Sequence, residues 1–217
     1  MASRGVVIFD LDGTLVDAFG DIRAALNHAL AEQGLPLHSM QAVRGFVGNG
    51  LSQLVRRAVP PAHAALCPAV EESLRAYYAA HPADHASVYD GMREAVVTLR
   101  AEGFSTAILS NKADDLVQAI TKRLELNPLF DAICGERPGV PLKPDPEAVR
   151  PLLRAFDTQR GVFVGDGVPD GEVARNAGLP FVGVTWGLGT EEELERFGRI
   201  ALTGGEVAKL VLEYMGK

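Results

Sequence analysis

The sequence predicts an α/β protein whose doubly wound parallel sheet is interrupted by an all-helical insertion. The segment Val6–Phe9 is continuously apolar, which is typical of a strand buried on both faces of a parallel sheet. After residue 87, short apolar runs alternate with helical stretches, whereas four helical patterns follow one another before it. These observations favour a Rossmann-like core domain of residues 1–16 and 87–217, with a helical cap domain of residues 17–86.

The insertion is predicted to contain four consecutive helices. The first ends at Gly34, because apolar residues recur at helical spacing up to that glycine: Phe19, Ile22, Leu26, Ala29 and Leu30. The others are predicted over 39–47, with Ser39 as N-cap, over 51–58, and over 62–80. Since such a unit would begin where the first strand ends, we expect it to lie over the carboxyl edge of the sheet.

The core is predicted to alternate strands and helices after the insertion. Strands are expected at 106–109, 132–134, 162–164 and 181–184. Helices are expected at 90–103, 114–124, 147–156, 170–177 and 206–215. Because open α/β sheets bind ligands at the carboxyl ends of their strands, polar residues that follow these strands are the candidates for a site.

Composition restricts the class of partner. The chain has 217 residues and a net charge of −7, and no basic block offsets that charge, which argues against a nucleic-acid partner. Cys67 and Cys134 lie far apart, so we expect neither a zinc site nor a disulfide scaffold. We expect no signal peptide, and no apolar run approaches membrane-spanning length. We therefore expect a cytoplasmic protein, monomeric or homodimeric, without a membrane partner.

Two carboxylates stand at the end of the first strand. Asp10 and Asp12 are two residues apart in an extended segment and should project to the same side, before Gly13 turns the chain away. Such crowding predicts a hard divalent cation, most simply Mg²⁺. The string could also be a solvated turn, but it is not a calcium loop of the EF-hand type, because no closing Glu follows.

Residues 10–16, Asp-Leu-Asp-Gly-Thr-Leu-Val, resemble the first motif of the haloacid dehalogenase superfamily. Three later segments resemble its other motifs in the same order: Ser110-Asn111, Lys143-Pro144-Asp145-Pro146, and Asp166 to Asp170. The resemblance implies that Asp10, Asp12, Asp166 and Asp170 bind the metal. It also implies that Asp10, Asp12 and Lys143 are catalytic and that Thr14, Ser110 and Asn111 bind substrate. Gly167 stands where many relatives carry serine.

The resemblance implies a Mg²⁺-dependent phosphatase that hydrolyses a small-molecule phosphomonoester through an aspartyl-phosphate on Asp10. The acid at Asp12 favours phosphate chemistry over halide displacement. Three segments are similar to the phosphoglycolate phosphatase-like branch: residues 47–50, Val-Gly-Asn-Gly, residues 54–58, Leu-Val-Arg-Arg-Ala, and residues 182–187, Val-Gly-Val-Thr-Trp-Gly. A β-phosphoglucomutase-like phosphosugar mutase would share the core motifs, and a phospho-accepting signalling domain would gather similar residues without turnover.

The cap contains three arginines on an otherwise acidic chain: Arg44, Arg56 and Arg57. A carboxylate at the far end of a small substrate would need a guanidinium partner when a helical lid closes over it. Arg57 falls in the segment that resembles the phosphoglycolate phosphatase cap. It is therefore the predicted contact to such a carboxylate.

Overall fold

The computed structural model describes residues 3–216 and contains two separate sheets. Its strands are β1 (Val6–Phe9), β2 (Val16–Asp17), β3 (Ser87–Val88), β4 (Ser105–Ala113), β5 (Ala132–Glu136), β6 (Gly161–Gly165), β7 (Phe181–Val184) and β8 (Arg199–Ala201). Six of them form a parallel sheet in the order β5-β4-β1-β6-β7-β8, and β2 pairs with β3 alone. Every pairing in the large sheet is parallel, as the sequence predicts.

Strand β1 lies in the middle of the sheet because it is apolar on both faces. All four of its residues are fully buried, and it pairs with β4 on one side and β6 on the other. Central strands of parallel sheets need this continuous apolar character, since helices cover both faces. The strand ends at Phe9, so Asp10 leaves the sheet at its carboxyl edge.

The helices are α1 (Phe19–Glu32), α2 (Met40–Arg44), α3 (Leu51–Ala58), α4 (Cys67–Ala80), α5 (Met92–Ala101), α6 (Asp114–Arg123), α7 (Arg150–Ala155), α8 (Val168–Ala177), α9 (Glu191–Glu195) and α10 (Gly204–Met215). Buried residues of α5, α6 and α10 share an apolar cluster with Val7 and Phe9. Those of α7, α8 and α9 share a second cluster with Val6 and Ile8. Because alternate residues of a strand face opposite sides, β1 contributes to both layers, and the doubly wound fold is confirmed.

The helical insertion comprises α1 to α4 and lies between the two strands of the small sheet. Strands β2 and β3 pair antiparallel, with Val16 opposite Val88, so the chain leaves and re-enters the core at one place. Within the insertion, α1 packs against α2 and α4, and α3 packs against α4. Leu26 and Leu74 belong to the same apolar cluster as Val7, so buried packing runs from the insertion into the core. The domain boundaries at 17–86 stay a prediction.

Several elements differ from the sequence-based prediction, among them the helix expected at 62–80, which is a 3₁₀ segment, Pro61–Leu66, followed by α4. The helix expected at 147–156 is divided into a 3₁₀ turn, Pro146–Ala148, and α7. Pro151 has no N–H to donate to the carbonyl of Glu147, so a continuous α-helix cannot form across it. Strand β4 continues to Ala113, which pairs with Glu136 after a register shift. Helix α9 and strand β8 were not predicted, because five and three residues are too short to show a period.

Among residues 3–216, no helix is both long enough and apolar enough to cross a bilayer.

Candidate active site

Three carboxylates meet at the carboxyl edge of the sheet. Asp10 follows β1, Asp166 follows β6, and Asp170 lies in the first turn of α8. One oxygen of each lies within 4.8 Å of the others. Gly13 permits this approach: it has a φ of +86°, and a Cβ there would lie 2.3 Å from Asp166 Oδ2. The turn after β1 therefore requires glycine for conformation and for space.

Lys143 is the cation that contacts this cluster. Its Nζ lies 2.8 Å from Asp10 Oδ1 and 2.7 Å from Asp170 Oδ1, and only 3% of its side chain is exposed. Burial lowers the pKa of this ammonium, but the two carboxylates outweigh that effect and hold the pKa above its usual range. Lys143 is therefore a permanent positive charge beside Asp10.

The three carboxylates carry more negative charge than the ammonium of Lys143 can balance. Burial, followed by repulsion from Asp170 and Asp10, raises the pKa of Asp166 well above its usual range. Burial also raises the pKa of Asp170 to about 6, although Lys143 opposes the shift. Asp10 Oδ1 is buried, and its contact is the ion pair with Lys143, which the same ammonium also shares with Asp170. Hard oxygen ligands with excess negative charge fit a divalent cation such as Mg²⁺.

Asp166 is oriented by a backbone loop and by Thr14. Its Oδ1 accepts a hydrogen bond of 2.8 Å from Thr14 Oγ1, and its Oδ2 accepts one of 2.8 Å from the N–H of Leu188. Directly before Leu188, the carbonyl of Gly187 accepts a 2.6 Å hydrogen bond from Arg44 at the end of α2. A guanidinium of the insertion therefore supports the loop that holds a core carboxylate.

Asp12 lies apart from the acidic cluster. Its carboxylate accepts hydrogen bonds of 2.9 and 3.1 Å from Lys112 Nζ, which also donates to the hydroxyl of Tyr78 in α4. Burial raises the pKa of Asp12, and the charge of Lys112 only partly reverses this. Asp12 is therefore not among the three carboxylates that meet here, and its predicted role as a metal ligand stays a prediction. The backbone turns at residues 11–16, and the Asp12 side chain points to β4 instead.

A cavity of about 240 Å³ opens above these residues. Its floor is formed by polar groups of the core, including Asp10, Ser110 and Lys143. Its roof is formed by residues of α1, α3 and α4 together with the turn at 47–50. Acids, a lysine and a hydroxyl thus line a partly enclosed space that would hold a small phosphate ester.

The family follows from comparison with known proteins. The model for haloacid dehalogenase-like hydrolases matches residues 7–184. A phosphoglycolate phosphatase from Cereibacter sphaeroides is 38% identical over 187 residues, which cover 83% of this chain and 85% of that protein. One from Caulobacter vibrioides is 36% identical over 198 residues, covering 88% and 83%. The chain belongs to the haloacid dehalogenase-like hydrolases.

Solved structures agree with this assignment. A predicted phosphoglycolate phosphatase from Haemophilus somnus 129pt superposes with a TM-score of 0.86 at 26% identity, covering 94% of this chain and 96% of that one. The predicted resemblance to the phosphoglycolate phosphatase-like branch is confirmed. Within its family the chain is a phosphoric monoester hydrolase.

Of the three core residues predicted to bind substrate, Ser110 and Asn111 line the cavity and Thr14 does not. Ser110 is 5% exposed and lines the cavity, where its Oγ accepts a hydrogen bond from the N–H of Lys112. The side chain of Asn111 bonds the N–H and the carbonyl of Lys143 and the carbonyl of Gly48. Its amide is thus engaged in holding Lys143 and the cap turn. Thr14 is fully buried against Asp166 rather than open to the cavity.

Arg57 lies outside the cavity. Its guanidinium donates to the carbonyl of Phe46 and to Asn49 Oδ1, and the residue is exposed on α3. These contacts brace the turn that precedes α3. The structure therefore does not bring Arg57 to the acidic cluster, and its predicted contact with a substrate carboxylate has no geometric support.

Sequence reasoning missed three contributors to the site of this hydrolase. These are the Leu188 N–H on Asp166, the Arg44 contact to Gly187, and Tyr78 as a partner of Lys112. A backbone N–H leaves no signal in a sequence. The run at 182–187 pointed to the right loop, since it ends one residue before Leu188.

Proposed function

We propose that this hydrolase is a Mg²⁺-dependent phosphatase that cleaves a small phosphomonoester through an aspartyl-phosphate on Asp10. The observation that supports the proposal most directly is the position of Asp10: its carboxylate lines the cavity within 4.8 Å of Asp166 and Asp170, and Lys143 Nζ lies 2.8 Å from its Oδ1. A carboxylate that faces the cavity beside a cation can attack phosphorus while the cation offsets the negative charge that would repel the approach.

The proposed reaction has two steps on one carboxylate. Asp10 forms a bond to phosphorus as the bond to the alcohol oxygen breaks, and Asp12 gives the leaving oxygen its proton. Water then attacks phosphorus, Asp12 takes a proton from that water, and phosphate leaves Asp10. The raised pKa of Asp12 suits the first of these roles, because a buried carboxyl retains its proton more readily.

The other groups handle negative charge. Asp10, Asp166 and Asp170 would hold Mg²⁺, which when bound neutralises charge on the transferred phosphoryl group. Lys143 supplies a second, permanent positive charge at the attacking carboxylate. Ser110 lines the cavity where a phosphoryl oxygen would lie and can donate its hydroxyl proton to that oxygen. The candidate substrate is phosphoglycolate, because the chain is similar to phosphoglycolate phosphatases over most of its length.

The test is phosphate release from p-nitrophenyl phosphate with Mg²⁺ and with a chelator. We expect turnover only with the metal, and we expect Asp10→Asn to abolish it while the melting temperature stays near wild type. Asp157→Asn is the matched control, since Asp157 is exposed on the surface. Labelled phosphate retained on the acid-quenched wild-type protein, but not on Asp10→Asn, would identify the intermediate. Turnover by Asp10→Asn at the wild-type rate would refute the mechanism.

A further inference from the structure

Lys112 is a cation of the cavity lining that the proposed reaction does not use. It follows Ser110 by two residues in β4, and both residues line the cavity. Only 8% of its side chain is exposed, so its ammonium is held inside the protein rather than in bulk solvent. Burying an ammonium is costly unless anions compensate it, so the contacts of Lys112 decide what it can do.

The ammonium of Lys112 joins the core to the helical insertion. It donates to both oxygens of Asp12, at 2.9 and 3.1 Å, and to the hydroxyl of Tyr78 in α4, at 2.8 Å. It also lies 4.4 Å from the centroid of the Tyr78 ring. Tyr78 is only 2% exposed and belongs to the main apolar cluster, so packing fixes its position. The ammonium is therefore held at a defined place beside the proposed acid.

That place adjoins the leaving group of the proposed reaction. Asp12 must contact the ester oxygen to give it a proton, and Lys112 Nζ lies 2.9 Å from Asp12 Oδ2. In phosphoglycolate a single methylene separates the ester oxygen from the carboxylate, so this carboxylate would come within reach of the ammonium. Because Asp12 enters the first step as a neutral acid, the substrate carboxylate would then be the charged partner of Lys112.

The second cation of the lining serves the other end of the substrate. Lys143 contacts Asp10 and Asp170 at 2.8 and 2.7 Å, where it offsets charge at the nucleophile. Among residues 3–216, Lys112 and Lys143 are the cationic side chains that line the cavity, and no arginine does so. Lys112 is therefore the cation available to a second anionic group on the substrate.

The surroundings of Lys112 in the roof are apolar. Four side chains of the insertion line the cavity there: Ile22, Leu51, Leu54 and Leu74. At the rim, the carboxylate of Glu193 accepts hydrogen bonds from the N–H and the hydroxyl of Thr190. A substrate carboxylate placed anywhere but at Lys112 would lose water without compensation.

Building on the proposed phosphatase function, we infer that Lys112 determines substrate specificity by pairing with a carboxylate on the alcohol part of the phosphomonoester, while Tyr78 holds the ammonium in place. Lys112 donates to that carboxylate as Asp12 donates to the ester oxygen. Such a charge-assisted hydrogen bond is roughly twice as strong as a neutral one. A neutral ester of the same shape leaves the ammonium without an anion and reacts more slowly.

The experiment compares kcat/KM for phosphoglycolate with that for its neutral carboxamide, phosphoglycolamide. The two esters have nearly the same shape and similar leaving groups, so the ratio of their kcat/KM values isolates the effect of the charge. We expect a ratio of at least about ten in the wild-type enzyme, in line with hydrogen bonds to charged groups. A smaller ratio, with phosphate still released from p-nitrophenyl phosphate, overturns the inference and leaves the phosphatase function standing. Failure to release phosphate from every ester refutes the phosphatase function, and the inference with it.

Two variants test whether Lys112 sets this ratio. Lys112→Met removes the ammonium at a similar side-chain length, and Lys112→Gln removes the charge but keeps a donor. Each also changes the surroundings of Asp12 and so slows both esters, whereas loss of the carboxylate contact lowers the ratio itself.

We expect the ratio to fall by at least about fivefold in each variant that folds, as judged by its melting temperature. Lys122→Met is the matched control, because Lys122 is exposed on α6 and does not line the cavity. It makes the same change of net charge and should keep the wild-type ratio. A folded Lys112 variant whose ratio falls by less than this, or no further than in the control, overturns the inference.

Discussion

Asp166→Asn in the metal-free enzyme should increase stability, although it removes a proposed metal ligand. Asp166 faces Asp10 and Asp170 within 4.8 Å, and among residues 3–216 no cation contacts its carboxylate. At an effective dielectric constant of about 20, each such pair repels by about 3.5 kcal/mol or more. The hydrogen bonds from Thr14 and Leu188 offset part of this repulsion.

The asparagine can keep both hydrogen bonds. Its Oδ1 can accept from the Leu188 N–H, and its Nδ2 can donate to Thr14 Oγ1 once the hydroxyl rotates. We therefore expect a net gain of about 1–2 kcal/mol in the free energy of unfolding without metal. For a chain of this size that gain raises the melting temperature by roughly 2–8 °C.

With Mg²⁺, wild type should have a higher melting temperature than Asp166→Asn, the reverse of the order without metal. At about 100 times its dissociation constant, a ligand stabilises the folded state by about 2.7 kcal/mol, so wild type should gain roughly 5–11 °C. Asp166→Asn should gain less than half of that, because one of the three carboxylates is gone. Differential scanning calorimetry with EDTA and with Mg²⁺ measures both shifts, and Asp157→Asn serves as the exposed control.

The folding stability of the metal-free protein should also depend on pH, with a sign set by the raised pKa values of Asp166 and Asp170. The pKa of Asp166 is raised in the folded state, and that of Asp170 is raised to about 6, so the folded protein binds these protons more tightly than the unfolded chain does. Metal-free stability should therefore fall as the pH rises above about 4, the usual carboxyl value. The fall should be shallower in Asp166→Asn. A lower metal-free melting temperature for the variant, with a Mg²⁺ shift equal to wild type, would refute the reasoning.

Three further substitutions test the surroundings of the site. Asp12→Asn should slow both formation and hydrolysis of the aspartyl-phosphate by about 10²-fold or more. With p-nitrophenyl phosphate, whose leaving group needs little protonation, only the formation step should recover. Equal slowing on poor and good leaving groups would argue against Asp12 as the acid. Arg44→Gln should raise the Mg²⁺ concentration for half-maximal activity by about tenfold, since the Gly187–Leu188 loop loses its support, whereas exposed Arg56→Gln should not. Arg57→Ala should lower the free energy of unfolding by about 1 kcal/mol through the loss of its contacts to Phe46 and Asn49. The variant's kcat/KM should change equally for phosphoglycolate and p-nitrophenyl phosphate. A selective loss on phosphoglycolate would restore Arg57 as a substrate contact.

The sequence was sufficient for the elements that depend on local pattern. The fully buried run of β1, the strand Phe181–Val184 and the four helices of the insertion each show a period or an apolar run that fixes the type of element. The placement of Asp10 and Asp166 at one edge of the sheet follows from the same pattern, because parallel strands end together. Helix α9 and strand β8 escaped prediction since neither is long enough to repeat a pattern.

The pairing of side chains was decided by tertiary structure. Asp12 lies two residues from Asp10 in the sequence, yet its partner is Lys112, a hundred residues away. The sequence does not distinguish Arg44 from Arg57, since both are arginines of the helical insertion. In the structure, Arg44 reaches the loop beside Asp166, whereas Arg57 bonds the turn that precedes its own helix. A sequence determines which backbone conformations and burial patterns are favourable, because these depend on neighbouring residues. It does not determine which charges meet, since that depends on how α2, α4 and β4 pack together in space.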